Sequence, residues 1–202
     1  MVHLCRRLLM IISYPPRAQL SSVLAERWFG GPRGRDRGTP KKVVSQATMD
    51  AYGHKLGQFI AANNIEAEQL FFDQSCHSVA EAAAAVGTGP ENLVKNICMT
   101  DTHGRVIVAI VKGEDRASTS RVAKALQTDR VRTMTPDEML ATTGYPCGGT
   151  PSFGFAATFL IDPRVMQADE VYTGGGSQTA LVRVSTQALL RANGGTVARV
   201  RK

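Results

Sequence analysis

Val94-Lys95-Asn96-Ile97-Cys98-Met99-Thr100, then Asp101-Thr102-His103-Gly104, then Arg105-Val106-Ile107-Val108-Ala109-Ile110-Val111 is the stretch that decides the fold. Two runs rich in β-branched residues flank a short polar segment ending in glycine, the pattern of a β-hairpin. The second run is apolar almost throughout, so it reads as a strand buried in the middle of a sheet. Helical and strand signals surround it in irregular order. Pro90-Glu91-Asn92-Leu93 begins a helical turn just before the hairpin, with proline suited to a first helical position. Further upstream, Ser78 with Glu81 three residues later is a capping box, and Gly87 ends that helix. Met49, Tyr52, Leu56, Phe59 and Ile60 recur at three- and four-residue steps, which predicts a helix stopping at Asn63-Asn64. Leu70-Phe71-Phe72 reads as a strand.

Downstream, residues 118–127 read as a helix with Val122, Ala123, Ala125 and Leu126 inward. Residues 131–134 form a short strand, and Thr135-Pro136-Asp137-Glu138 opens another helix. A strand over 157–163 follows. Residues 170–173 and 180–184 then flank Gly174-Gly175-Gly176-Ser177 as a second hairpin. A helix capped by Ser185 and a last strand over 196–200 close the chain. This order is neither a strict βαβ repeat nor strands followed by helices. It implies an α+β fold, a single domain with a mixed, curved, barrel-like β-sheet and helices packed outside it.

The chain has 202 residues and a net charge of +7. Residues 1–48 hold nine Lys/Arg against Glu26 and Asp36, so the whole excess lies there, and the remainder carries fifteen groups of each sign. The globular body is therefore no broad nucleic-acid-binding surface, and a polyanion would be gripped by a local patch. Residues 1–45 read as a disordered basic extension because the run from Gly30 to Pro40 is Gly, Pro and Arg with nothing to bury. Three readings stay open for it: a targeting peptide, a basic arm on RNA, or an extension upstream of a natural start at Met49. The ordered domain is expected over residues 46–202. No apolar run approaches the roughly 18 residues of a membrane span, so no membrane contact and a cytoplasmic location are expected. Cys5, Cys76, Cys98 and Cys147 are scattered, with no CxxC pair and no histidine at ligand spacing. Neither a metal, a cofactor nor a disulfide framework is expected.

Thr143-Gly144-Tyr145-Pro146-Cys147-Gly148-Gly149-Thr150-Pro151-Ser152-Phe153-Gly154 holds four glycines and two prolines in twelve residues. Such a run makes a rigid, shaped loop that turns backbone N–H groups toward a ligand, or else a long structural turn. Lys95, near the start of the first hairpin strand, is either a solvated face residue or an ammonium held over a pocket.

From about His77 to Ala198 the chain resembles the YbaK / prolyl-tRNA-synthetase-associated domain family of aminoacyl-tRNA editing enzymes. The carriers, in order, are His77-Ser78-Val79-Ala80-Glu81, Leu93-Val94-Lys95-Asn96, the loop from Thr143 to Gly154, Phe159-Leu160-Ile161-Asp162, and Asp169-Glu170-Val171-Tyr172 followed by Gly174-Gly175-Gly176. The resemblance implies trans-editing hydrolysis of the ester bond of a mischarged aminoacyl-tRNA, of the cysteinyl- or alanyl-tRNA(Pro) type. It implies the tRNA acceptor end as partner, with prolyl-tRNA synthetase as a second. Lys95 matches the family's functional lysine, taken to hold the aminoacyl-adenosine end. Gly148, Gly149 and Pro151 match the loop whose backbone positions the ester carbonyl, and Thr150, Phe153 and Gly154 continue it. Asp162 aligns with an aspartate near the pocket; by its own residues it either orients a water or, as Asp-Pro after a strand, starts an ordinary turn.

The remaining candidates carry two readings each. His77 is a base or caps its helix, and Asn96 bonds substrate. Gly175 and Gly176 cradle phosphate or simply turn the chain. Ester hydrolysis needs a positioned water, a proton acceptor and donors for the oxyanion. The resemblance implies that proton handling comes largely from the substrate, through a ribose hydroxyl or the amino acid itself, which accords with the lack of an evident Ser/His/Asp or Cys/His set. Two other function classes stand beside this one: a binding-only module for a tRNA or a synthetase, and an unrelated hydrolase using Cys147. Substitution of Gly148 or Gly149 by alanine is expected to abolish deacylation with the fold intact. The neutral body is expected to give weak salt dependence.

Overall fold

A strand with no polar side chain from Val106 to Val111 is stable only where both faces are covered, and β3 (Val106–Lys112) sits in that position. In the computed structural model, residues 50–202 are described; the N-terminal extension and the expected helix residue Met49 lie outside the described residues. The larger sheet has the order β4 (Val131–Thr133), β2 (Val94–Asp101), β3, β5 (Thr158–Ile161), β8 (Thr196–Val197). β2 and β3 form the expected antiparallel hairpin, and β5 adds to β3 in parallel, so the sheet is mixed. A smaller antiparallel sheet runs β1 (Ala67–Phe71), β7 (Ala180–Ser185), β6 (Glu170–Gly174).

The fold is α+β in one domain, but its strands form two sheets that do not close into a barrel. The reason lies at β2. β4 pairs only with Met99, Thr100 and Asp101, and the Met134 N–H donates to the Cys98 carbonyl at 3.0 Å, so β2 from Val94 to Ile97 keeps an open outer edge. A single parallel bridge, Leu93 to Tyr172, joins that region to β6.

Among the described residues, five helices surround the sheets: α1 (Ala51–Ala62), α2 (Val79–Val86), α3 (Thr119–Leu126), α4 (Pro136–Thr143) and α5 (Thr186–Asn193). Each begins at a side-chain cap, from Asp50, Ser78, Ser118, Thr135 and Ser185 respectively. Ser78 with Glu81 and Thr135 with Glu138 are full capping boxes, and a cap is worth about 1 kcal/mol. Alternate residues of β3 feed two cores. Val108 and Ile110 join Leu56, Tyr145, Phe153 and Phe159, while Ile107, Ala109 and Val111 join Met99, Leu160, Val122 and Val200. A third cluster packs α2 on the smaller sheet through Ala82, Ala85, Phe72 and Leu181. Ala125 is exposed, not inward as its helical position suggested. Among the described residues no helix is long and apolar enough to cross a membrane.

The last strand is shorter than its apolar pattern indicates, because Asp162 diverts it. The Asp162 carboxylate is fully buried and accepts the N–H groups of Val200 (3.0 Å) and Arg201 (3.1 Å), along with the Arg201 guanidinium. It also accepts the Arg164 N–H at 3.0 Å. Burial works against the charge, but these donors together outweigh it and hold the carboxyl below its usual range. Asp162 thus fastens the C-terminal segment to the sheet.

Candidate active site

The open edge of β2 forms one wall of a cavity of about 470 Å³. Lys95 and Asn96 contribute from β2, His77 from the turn before α2, and Cys147, Gly148 and Thr150 from the loop after α4. Met134, Pro136 and Met139 of the α4 region and Tyr172 and Thr173 of β6 complete an apolar lining with few polar groups. That composition suits a small ligand held by its apolar part and oriented by a few polar contacts.

The loop owes its shape to close backbone approach. Gly144 ends α4 in the left-handed region at φ 71°. The Gly149 N–H donates to the Pro146 carbonyl (3.0 Å), closing a turn, and the Gly149 carbonyl accepts the Gly176 N–H at 2.9 Å. A Cβ on Gly149 would lie 2.6 Å from the Ser177 carbonyl carbon, and one on Gly174 would lie 2.3 Å from the Thr150 oxygen. The loop and the 174–177 turn are therefore pressed backbone to backbone, which only glycine permits. Gly148 is different. It has φ 84°, and a Cβ there would meet the His77 ring, 2.1 Å from Nδ1, so His77 overlies a wall of bare backbone. Among the described residues, the N–H groups of Gly148 and Thr150 donate to no backbone carbonyl.

Asn96 is committed within the protein. Its Nδ2 donates to the Thr150 carbonyl (2.8 Å) and to Thr173 Oγ1 (2.9 Å), while its Oδ1 accepts Ser152 Oγ at 2.8 Å. It clasps β2, the loop and β6 together at the cavity wall. Lys95 is half-buried at the start of β2. Burial, and then the nearby Arg116, lower its pKa, with Asp115 partly opposing them. Burial pushes the Cys98 thiol up to about 12, assisted by Cys147, and the Cys76 thiol up to about 11, assisted by Glu81. Both are neutral at physiological pH and behave as apolar lining. Among the described residues no group of three His, Cys, Asp or Glu could hold a metal ion.

The structure thus brings Lys95, His77, Asn96, Gly148 and Thr150 to one cavity. The other residues expected at the site stand elsewhere. Gly149, Gly175 and Gly176 lie behind the wall, the Gly175 carbonyl accepting Gln69 Nε2 at 2.7 Å. Pro151 is buried. Phe153 is fully buried and stacks on Phe59 at 6.4 Å between centroids, and Gly154 packs against Leu56 and Tyr145. Asp162 serves the C-terminal segment. Residues that the sequence reading did not single out include Met134, Met139, Tyr172 and Thr173. Met134 follows β4, Met139 lies in α4, and Tyr172 and Thr173 belong to β6, so only the tertiary fold assembles them.

The glycine geometry revises the expectation that both alanine substitutions spare the fold. Gly149→Ala meets backbone, which cannot swing aside, so its cost falls at the upper end of the ~1–3 kcal/mol of overpacking. Gly148→Ala meets a side chain that can rotate and carries the ~1–2 kcal/mol of a left-handed non-glycine residue. Thermal unfolding should show both melting below wild type, with Gly149→Ala the lower. A Gly149→Ala protein as stable as wild type would contradict the packing described.

Comparison with known proteins places this geometry. The family model for the aminoacyl-tRNA editing domain matches residues 73–192. Proline–tRNA ligase of Pelobacter propionicus is 30% identical over 71 residues, which are 35% of this chain and 12% of the ligase, so the chain spans only a small part of that relative. The uncharacterized protein YwhH of Bacillus subtilis is 22% identical over 128 residues, 62% of this chain and 81% of YwhH. Among solved structures, the hypothetical protein APE2540 superposes with a TM-score of 0.69 at 29% identity, covering 73% of this chain and 99% of that one. A candidate trans-editing enzyme for prolyl-tRNA synthetase superposes with a TM-score of 0.71 at 23% identity, covering 77% and 99%.

Proposed function

Because this chain belongs to the aminoacyl-tRNA editing domain family, we propose that its cavity hydrolyses the ester bond of a mischarged aminoacyl-tRNA, acting in trans. The observation that carries this reading is the convergence of one ammonium, Lys95, and one bare backbone amide, Gly148, on a largely apolar cavity of about 470 Å³. In this reading the terminal adenosine and its phosphate lie toward Lys95, and the amino-acid side chain enters the apolar part between Met139 and Cys98. The ester carbonyl rests on the loop, where the Gly148 N–H donates to the oxyanion as it forms. One such donor is worth about 10²–10³ in rate.

Water adds to the carbonyl carbon, the bond to the ribose oxygen breaks, and the water's proton passes to that leaving oxygen. The adjacent ribose hydroxyl or the substrate's own amino group relays it, consistent with a cavity in which Cys76 and Cys98 are held neutral. Small side chains such as those of cysteine and alanine suit the space. The acceptor end of tRNA is then the partner, prolyl-tRNA synthetase a second, and the cytoplasm the site of action.

Cysteinyl- and alanyl-tRNA(Pro) offered to wild type and Cys147→Ala test the chemistry. Both proteins should release the amino acid at rates within about threefold, since among the described residues no base is hydrogen-bonded to the Cys147 thiol. Loss confined to Cys147→Ala would assign the site to a thiol enzyme instead.

A further inference from the structure

Away from the cavity, three cationic side chains converge on one depression. Arg121 and Lys124 of α3 and Arg199 of the C-terminal segment line it, with Ala125, around about 270 Å³. None of the three has an ion-pair partner among the described residues. Like charges gathered without acids repel one another, and a bound polyanion relieves that repulsion. The grouping is held by backbone rather than by chance rotamers. The Ser118 N–H donates to the Val200 carbonyl and the Lys202 N–H to the Arg116 carbonyl, both at 2.8 Å. Asp162 grips the same segment from below through the Val200 and Arg201 amides. Arg199 is thereby fixed beside the first turns of α3.

The depression also lies on the Lys95 side of the sheet. Lys95, Ile97 and Met99 share one face of β2, and Ile97 and Met99 pack in the cluster that holds Val122, Ala123 and Leu126 of α3. Exposed Arg116, two residues before the α3 cap, stands between Lys95 and the depression along the chain. It is close enough to lower the Lys95 pKa. These cations stand on a body whose total charge, over residues 49–202, is balanced.

We propose that Arg121, Lys124 and Arg199 form a clamp for the sugar-phosphate backbone of the tRNA acceptor stem while its aminoacylated end occupies the cavity. The assignment rests on the deacylase reading of that cavity. A surface depression lined by three cationic side chains fits the repeated phosphates of a strand better than one enclosed small anion. It also replaces the weak salt dependence expected of a neutral body with a local, salt-sensitive grip.

The test uses full-length protein carrying Arg121→Gln, Lys124→Gln and Arg199→Gln together. For aminoacyl-tRNA, kcat/KM should fall about tenfold or more, mainly through KM, while hydrolysis of the corresponding aminoacyl-adenosine stays within about twofold. The salt dependence of tRNA binding, plotted as log K against log salt, should flatten by about 2–3. The N-terminal extension is common to both proteins and cancels in that difference. Arg121→Lys with Arg199→Lys should keep the wild-type slope. An unchanged slope, or an equal loss on tRNA and aminoacyl-adenosine, would overturn the clamp. If wild type hydrolyses neither substrate, the deacylase reading fails, and the slope measured with uncharged tRNA still judges the clamp alone.

Discussion

Lys95→Ala is expected to lower hydrolysis of a mischarged aminoacyl-tRNA by roughly a hundredfold or more, the scale of losing one electrostatic contact to a developing charge. The protein should melt within a few degrees of wild type. Lys95 makes no ion pair among the described residues, so its removal leaves no orphaned partner. Its position accounts for the size of the effect. It sits where β4 has stopped pairing and β2 opens on the cavity, half-withdrawn from water, so its charge acts through a poorly screened medium. Lys95→Arg should not restore full activity, because a planar fork replaces a compact point charge.

The lowered pKa of Lys95 gives the pH dependence its sign. In the proposed mechanism the charged form is the active one, and it predominates below that pKa. Enzymatic hydrolysis above the spontaneous background should therefore decline on the alkaline side earlier than for an ordinary lysine, near 10.4. Activity in Lys95→Ala equal to wild type would remove the residue from the mechanism.

Asp162→Ala is expected to have the largest effect on stability, about 3–5 kcal/mol, as for breaking a buried pair by removing one partner. The substitution leaves the Arg201 guanidinium and the N–H groups of Val200, Arg201 and Arg164 without their acceptor. A melting temperature lower by roughly 10 °C or more follows for a domain of this size. The carboxyl titrates lower in the folded chain than its unfolded value of about 3.9, so its stabilisation is complete above that value. It is lost as pH falls through the lower, folded value. Asp162→Asn should remove this acid-range component from a stability-versus-pH curve. Asp162→Ala unfolding at wild-type temperature would show that the C-terminal segment is held by something else.

What was legible in the sequence was what local chemistry determines. Ser78 with Glu81, Thr135 with Glu138 and the left-handed Gly87 mark helix ends because the cap and its partner lie within one turn. The β2–β3 hairpin and the burial of β3 follow from an unbroken apolar run. The split into two sheets was not legible, since it depends on how far β4 runs along β2, and three residues of β4 carry no pattern that says so. Within the site, Gly148 and Gly149 are equivalent as letters. They separate only by partner, a histidine ring for one and the Ser177 backbone for the other.

Asn96 and Asp162 show the same limit for polar residues. Each can read as a substrate contact, but their partners are distant in sequence: Thr150 and Thr173 for Asn96, Val200 and Arg201 for Asp162. Arg121 and Lys124 look like an ordinary solvated helix face until the chain terminus brings Arg199 beside them.

The central claim, that the cavity is a hydrolytic site, is tested most directly by offering the full-length protein alanyl-, cysteinyl-, seryl- and threonyl-tRNA and following release of the amino acid. Release from at least one of them, well above the spontaneous rate and lost in Lys95→Ala, is the expected result. No release from any, with tRNA still bound, would contradict it and leave a module that recognises the acceptor end without cleaving the ester.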